Sequence, residues 1–280
     1  MERLQDELWV ARADNPGPLT LDGSRSYLIG GEPAVLIDPG PAGPAQQITL
    51  GQLLADRRVG LICLTHAHSD HSGAAWELAD RIGCEVAGSA DTLERLDLPG
   101  RSLEDGDEIP VGGASSGGAG SRLRVLATPG HTGDHVSYLW LPGRQLFTGD
   151  LVLGAGTSVI LHPDGEIGAY LASLRRLIDE KPAMILPGHG DPVERPIERL
   201  REYIDHRLDR EAQIEAALAE LGEDERSVEA IRDRVYGPLP PGIARAASAS
   251  VRAHLQHIET RDGLPTVEGY PGDLEEELKA

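Results

Sequence analysis

The chain has 280 residues, enough for one large domain or two. It is 40% hydrophobic but only 4% aromatic, so a sizeable core has to come from Leu, Ile, Val and Ala. Its formal net charge of −20 repels polyanions at long range and gives no support to broad nucleic-acid binding. No apolar run approaches the ~20 residues of a membrane span. The N-terminus, Met1-Glu2-Arg3-Leu4-Gln5-Asp6-Glu7, is charged and lacks the apolar segment of a signal peptide. The two cysteines, Cys63 and Cys84, lie in apolar runs and read as buried free thiols. These features lead us to expect a soluble cytoplasmic protein with no membrane partner.

Residues 7–11 and 24–30 read as strands on either side of the turn Asn15-Pro16-Gly17-Pro18. Residues 34–37 form another strand, ending at Asp38. Asp38 is either a plain turn residue or a group that orients a ligating histidine. Residues 45–57 have helical apolar spacing. Residues 60–64 are a short apolar run, read as a buried strand. Thr65-His66-Ala67-His68-Ser69-Asp70-His71 follows directly, and residues 72–82 then have helical spacing. The cluster thus sits in a strand-to-helix turn, where open α/β sheets place ligand crevices. On extended backbone, residues two apart point the same way, so His66 and His68 can bind one ion. The chain then turns, and Asp70 and His71 can reach a second. Imidazole nitrogens and carboxylate oxygens suit zinc, and they also suit manganese or iron.

Residues 88–121 are poorly patterned, and 115–121 read as a flexible Gly/Ser loop. Residues 123–127, 135–141 and 144–147 read as strands. Three more polar clusters each end an apolar run. They are Pro129-Gly130-His131-Thr132-Gly133-Asp134-His135, Thr148-Gly149-Asp150 and Pro187-Gly188-His189-Gly190-Asp191. Four such clusters in one chain point to a shared metal centre. Gly154-Ala155-Gly156-Thr157-Ser158 comes after Asp150. Its backbone N–H groups and the Thr157 hydroxyl suit a substrate oxygen; a glycine turn without contacts is the alternative. Residues 164–180 read as a helix and 183–186 as the last strand. The composition changes near Pro196. Residues 197–221, 227–236 and 242–259 then read as three helices, the second capped by Ser227. Residues 262–268 read as a turn and short strand.

Together these motifs resemble the metallo-β-lactamase fold hydrolases, whose pattern is T-H-x-H-x-D-H, then P-G-H-T, a bridging Asp and a late G-H. Within that superfamily the chain looks similar to the β-lactamase-like protein 2 group, near the glyoxalase II hydrolases. The segments 15–20, 23–30 and 153–157 and the tail from Tyr203 carry the likeness over nearly the whole chain. The resemblance implies an α/β, four-layer αββα sandwich over residues 1–195 and a small winged-helix-like C-terminal domain over 196–280. It implies two zinc ions, one held by His66, His68 and His131, a second by Asp70, His71 and His189, with Asp150 bridging. Asp70 is then also the catalytic group, and His135 is structural. The implied reaction is attack by a metal-bridging hydroxide on a small ester, thioester or lactone. A single-stranded RNA endoribonuclease is the alternative. A non-hydrolytic di-iron or binding protein ranks third. The third of these helices carries few basic residues (Arg245, Arg252) and the chain ends in Asp273-Leu274-Glu275-Glu276-Glu277, which favours a packing or homodimerising role over nucleic-acid contact.

Overall fold

A computed structural model describes residues 2–55, 57–112, 121–141, 143–263 and 266–270. The chain forms two compact units. One comprises Met1–Thr128, Asp134–Ser158 and Leu177–Arg199. The other comprises Pro129–Gly133, Val159–Arg176 and Leu200–Ala280.

The first unit holds two sheets. Strands β1 (Glu2–Gln5), β2 (Leu8–Arg12), β3 (Arg25–Ile29), β4 (Ala34–Ile37), β5 (Val59–Cys63), β6 (Glu85–Gly88) and β7 (Arg101–Ser102) lie side by side in that order. The first four pair antiparallel, and β4 to β7 pair parallel. The parallel links need crossovers. Helix α1 (Pro44–Leu54) connects β4 to β5; helices α2 (Ser69–Ser72) and α3 (Ala75–Ile82) connect β5 to β6. The second sheet has the order β12 (Met184–Pro187), β11 (Gln145–Gly149), β10 (Val136–Leu141), β9 (Arg122–Ala127), β8 (Glu108–Pro110). Only its β11–β12 pair is parallel.

Alternation decides what each face buries. Tyr27, Ile37 and Cys63 of the first sheet share a core with Val125, Tyr138 and Phe147 of the second. Tyr27 meets Phe147 edge to face at 5.2 Å. On the other face, Leu28, Leu36 and Ile62 pack against Leu50 and Leu53 of α1 and Leu78 of α3. The strand ends therefore lie at the rim of a closed core.

The expected strands at 34–37 and 183–186 and helices at 45–57 and 164–180 are present within a few residues, the last as α5 (Ile167–Asp179). The helix expected over 72–82 begins earlier and is broken. Ala74 N–H leaves the helical ladder and donates to the Gly40 carbonyl (2.9 Å), which separates α2 from α3. The poorly patterned stretch contains helix α4 (Ala90–Arg95), β7 and β8. Most of the anticipated Gly/Ser loop, residues 115–120, lies outside the described residues.

In the second unit, α7 (Val228–Tyr236) opens as its sequence suggests, with the Ser227 side chain accepting Ala230 N–H. Val228 and Ile231 pack with Ile214 and Leu218 of α6 (Pro196–Glu220) and with Val251 and Leu255 of α8 (Pro241–Asp262). Residues 264 and 265 of the expected ribbon lie outside the described residues. No helix among the described residues is long and apolar enough to cross a membrane.

Buried Glu211 ties α6 to α8. Its Oε2 lies 2.6 Å from His257 Nδ1, and its Oε1 accepts a 2.6 Å bond from Arg261. Burial pushes the carboxyl up, but hydrogen bonds to His254 and His257 outweigh that and hold it at about 2. The resulting stability is present above the ordinary value of 4.5 and is lost as pH falls toward 2. Glu211→Gln should cost about 2 kcal/mol at neutral pH. In urea unfolding across pH, its deficit relative to wild type should shrink below pH 4.5. A deficit that stays constant down to pH 2 would contradict this account.

Candidate metal centre

The four motif clusters occupy strand ends and the turns after them. Thr65-His66 follows β5, and His68 is the N-cap of α2 with an extended backbone (φ −56°, ψ 136°). Asp70 and His71 stand on that single helical turn, so the chain reverses between the two pairs of ligands. Asp150 follows β11, and His189 follows β12.

Within the first unit these side chains converge. His66, His68 and Asp150 each offer an atom within 4.8 Å of the others, and so do Asp70, His71 and His189. His66 Nε2 faces His68 Nδ1 at 2.9 Å, and His71 Nε2 faces His189 Nε2 at 3.2 Å. Asp150 Oδ1 lies 3.2 Å from both His71 Nε2 and His189 Nε2. Asp150 therefore reaches both groups. A side chain at Gly188 would press on this point: an added Cβ would stand 2.5 Å from His71 Cε1 and 2.7 Å from Asp150 Oδ1. The glycine before His189 lets the last strand approach the other ligands.

His131 belongs to Pro129–Gly133, counted with the second unit. Its Nδ1 lies 2.9 Å from the Val159 carbonyl, which fixes the ring. His135 is buried, with Nδ1 3.0 Å from Thr128 Oγ1.

Asp38 settles the alternative posed by its sequence position. It adopts a left-handed backbone (φ 48°) after β4, a conformation aspartate tolerates better than most residues. Its buried carboxylate accepts the Thr65 N–H (2.8 Å) and Thr65 hydroxyl (2.7 Å) and pairs with His71 Nδ1 at 2.9 Å. It thus directs His71 Nε2 toward the centre. Asp134 is a supporting residue that the sequence did not reveal: its Oδ2 accepts Ala67 N–H and the Thr92 hydroxyl, bracing the turn that carries His66 and His68. Thr157 is half-buried in a loop. The adjacent Ser158 hydroxyl donates to the Asp150 carbonyl (2.6 Å), and Arg199 donates to the Gly156 carbonyl (2.7 Å).

The electrostatics fit a cation. Burial pushes Asp150 up, but His71 and His189 outweigh it and hold the carboxyl well below its usual range. Asp70 is held at about 2, where its bond to His189 and the His71 charge overcome burial. Burial lowers His189, but hydrogen bonds to Asp150 and Asp70 raise it to about 9. Two ionised carboxylates and imidazole nitrogens facing each other at hydrogen-bond distance form a nitrogen and oxygen donor set suited to divalent transition metals. Removing the outer partner of such a histidine typically costs 10–100-fold in metal affinity. Asp38→Ala should therefore retain less metal when dialysed against graded chelator, by about tenfold or more in affinity. Retention equal to wild type would show that His71 is oriented without it.

Comparison with known proteins agrees with this centre. The metallo-β-lactamase superfamily model matches residues 19–189, more than half of the chain. A Caenorhabditis elegans protein named β-lactamase-like protein 2 homolog is 33% identical over 273 residues, covering 94% of this chain and 88% of that protein. An atrochrysone carboxyl ACP thioesterase of Aspergillus chevalieri is 30% identical over 255 residues, covering 88% and 79% respectively. The crystal structure of a β-lactamase domain protein from Burkholderia ambifaria superposes with a TM-score of 0.78 at 19% identity, covering 94% of this chain and 91% of that one. That likeness carries the fold: mixed α/β, two sheets with helices, and a C-terminal helical region. The chain belongs to the metallo-β-lactamase superfamily and is a metal-dependent hydrolase.

Proposed function

We propose that the chain is a dinuclear zinc hydrolase of small esters, thioesters or lactones, working in the cytoplasm. The observation that carries the two-ion reading is the position of Asp150, whose Oδ1 reaches His71 and His189 while another ligand group contains the same residue. In this reading His66, His68 and His131 hold one ion. Asp70, His71 and His189 hold the other, and Asp150 spans both. Bound ions of this kind polarise the oxygen under attack and make water nucleophilic at neutral pH.

The chain's own residues supply the rest. Asp70 is the ligand-type carboxylate most open to solvent, at 27% exposure against 12% for Asp150. It orients the attacking water and takes its proton on the carboxylate. Thr157, on the loop braced by Ser158 and Arg199, donates its hydroxyl to a substrate oxygen. Two features support a thioester-type substrate over a nucleic acid. One is the relative named as a thioesterase; the other is the net charge of −20, which opposes polyanion binding. The free thiols Cys63 and Cys84 suit a reducing compartment. The C-terminal helices form a winged-helix-like packing module.

The test is hydrolysis by the zinc-loaded protein of a panel of thioesters, esters and lactones, beside a labelled single-stranded RNA. Thioester, ester or lactone turnover is expected. It should fall by at least about 10³-fold in Asp150→Ala and on chelation, since loss of a metal ligand removes Lewis-acid and nucleophile functions together. RNA cleavage that disappears in Asp150→Ala, with no small-molecule turnover, would replace this reading by the endoribonuclease.

A further inference from the structure

Asp70 has a hydrogen-bonding partner from far outside the motif clusters. The Ser24 hydroxyl lies 3.0 Å from Asp70 Oδ2, 46 residues away in sequence. Ser24 is 1% exposed and stands just before β3. Behind it, Asn15 from the Pro/Gly turn grips Ser24 twice. Asn15 Oδ1 accepts the Ser24 backbone N–H at 2.9 Å, and Asn15 Nδ2 lies 3.0 Å from Ser24 Oγ.

The direction of these bonds is determined. A backbone N–H only donates, so the amide atom facing it must be the oxygen. The other end of the amide is then NH2, which only donates, so Ser24 Oγ accepts there. An ionised carboxylate only accepts, so the single hydroxyl proton of Ser24 goes to Asp70 Oδ2. The relay runs one way, from Asn15 through Ser24 to Asp70. Its backbone is committed to the same end. Gly23 has φ +127°, and a Cβ there would run into the Ala13 carbonyl and approach Asn15 Oδ1 to 3.2 Å. The Gly23 carbonyl faces His189 Nδ1 at 3.4 Å, and Ser24 forms an antiparallel bridge with His189. One two-residue turn thus touches two of the three side chains in the Asp70–His71–His189 group. Asp38 holds the third.

We propose that Asn15 and Ser24 are positioning residues that set the affinity of the second metal site: their directed hydrogen bonds hold Asp70 Oδ2 in its ligating orientation. The inference rests on the two-ion reading above and adds residues that its ligand set does not contain. The Oδ2 atom concerned is the one that lies 3.2 Å from His189 Nε2 and 3.4 Å from His71 Nε2, so tilting it away separates the second group while leaving His66 and His68 in place.

The test is a stepwise titration of metal-free full-length protein with zinc against a chromophoric chelator, with thermal unfolding of each metal-free variant to check its fold. Ser24→Ala removes the hydroxyl and should weaken the second ion by about tenfold, with the first unchanged. Ser24→Thr, which keeps the hydroxyl, should recover much of that loss. Asn15→Asp is the sharper variant. It still accepts the Ser24 N–H, but it replaces the NH2 donor by an acceptor that draws the hydroxyl proton away from Asp70. It should also weaken the second ion selectively, whereas a negative charge acting only through space would tighten both ions. Wild-type affinity for the second ion in Ser24→Ala, or in Asn15→Asp should Ser24→Ala not fold, would overturn the relay. A wild-type protein that binds fewer than two ions would overturn the dinuclear reading and the relay with it.

Discussion

The structure depends on a concentration of charge that the core would not otherwise tolerate. Asp70 and Asp150 repel each other, and each is ionised beside the imidazoles of His71 and His189. A buried carboxylate normally resists ionisation, and two together resist it more. Here the groups are arranged so that positive charge at their meeting point is strongly favoured. A cation would satisfy that demand, and the ends of β5, β11 and β12 deliver donors to one place.

The two sheets make that delivery possible. The candidate ligands follow β5, β11 and β12, strands of both sheets that share the core around Tyr27, Tyr138 and Phe147. Tyr27 donates its hydroxyl to the Pro187 carbonyl (2.8 Å), and Tyr138 donates to the Leu64 carbonyl (2.6 Å). Each phenol therefore crosses from one sheet to the backbone of a ligand-bearing strand in the other. The apolar bodies of these residues fill the core, while their hydroxyls set the spacing of the strand ends. Packing and site geometry are here properties of the same side chains.

What was legible in the sequence follows from this arrangement. His66, His68, Asp70 and His71 fall within six residues, and a polar cluster at the end of an apolar run is a local pattern. Asp150 and His189 announce themselves in the same way, beside glycines. Short elements without an apolar repeat were not legible: β7 is two exposed residues, and α4 is a six-residue helix capped by Ser89. Asn15 and Ser24 were missed for a different reason. Asn15-Pro16-Gly17-Pro18 reads as a turn that carries part of the family likeness, and nothing local requires a long-range partner. The available signal was polarity in the wrong place. Ser24, Arg25 and Ser26 are all buried at the opening of β3, where a strand in the middle of a sheet should be apolar. Arg25 reaches the Gly190 carbonyl and Asp191, on the loop that carries His189.

The two candidate groups draw on different supporting contacts. His66 and His68 flank Ala67, whose backbone N–H is braced by Asp134 Oδ2. Asp70, His71 and His189 rely on contacts from Ser24, Asp38 and Gly23, all contributed by the chain around β3 and β4. Those contacts exist only when the first sheet has assembled and the β12 loop has docked beside it. Metal binding and folding are linked wherever a site is absent from the unfolded chain. Both groups depend on folding, since each joins sequence neighbours, His66 with His68 and Asp70 with His71, to a residue from a distant strand end, Asp150 or His189. An ion held by Asp70, His71 and His189 would therefore report on the packing of β3, β4 and the β12 loop as well as on its own ligands.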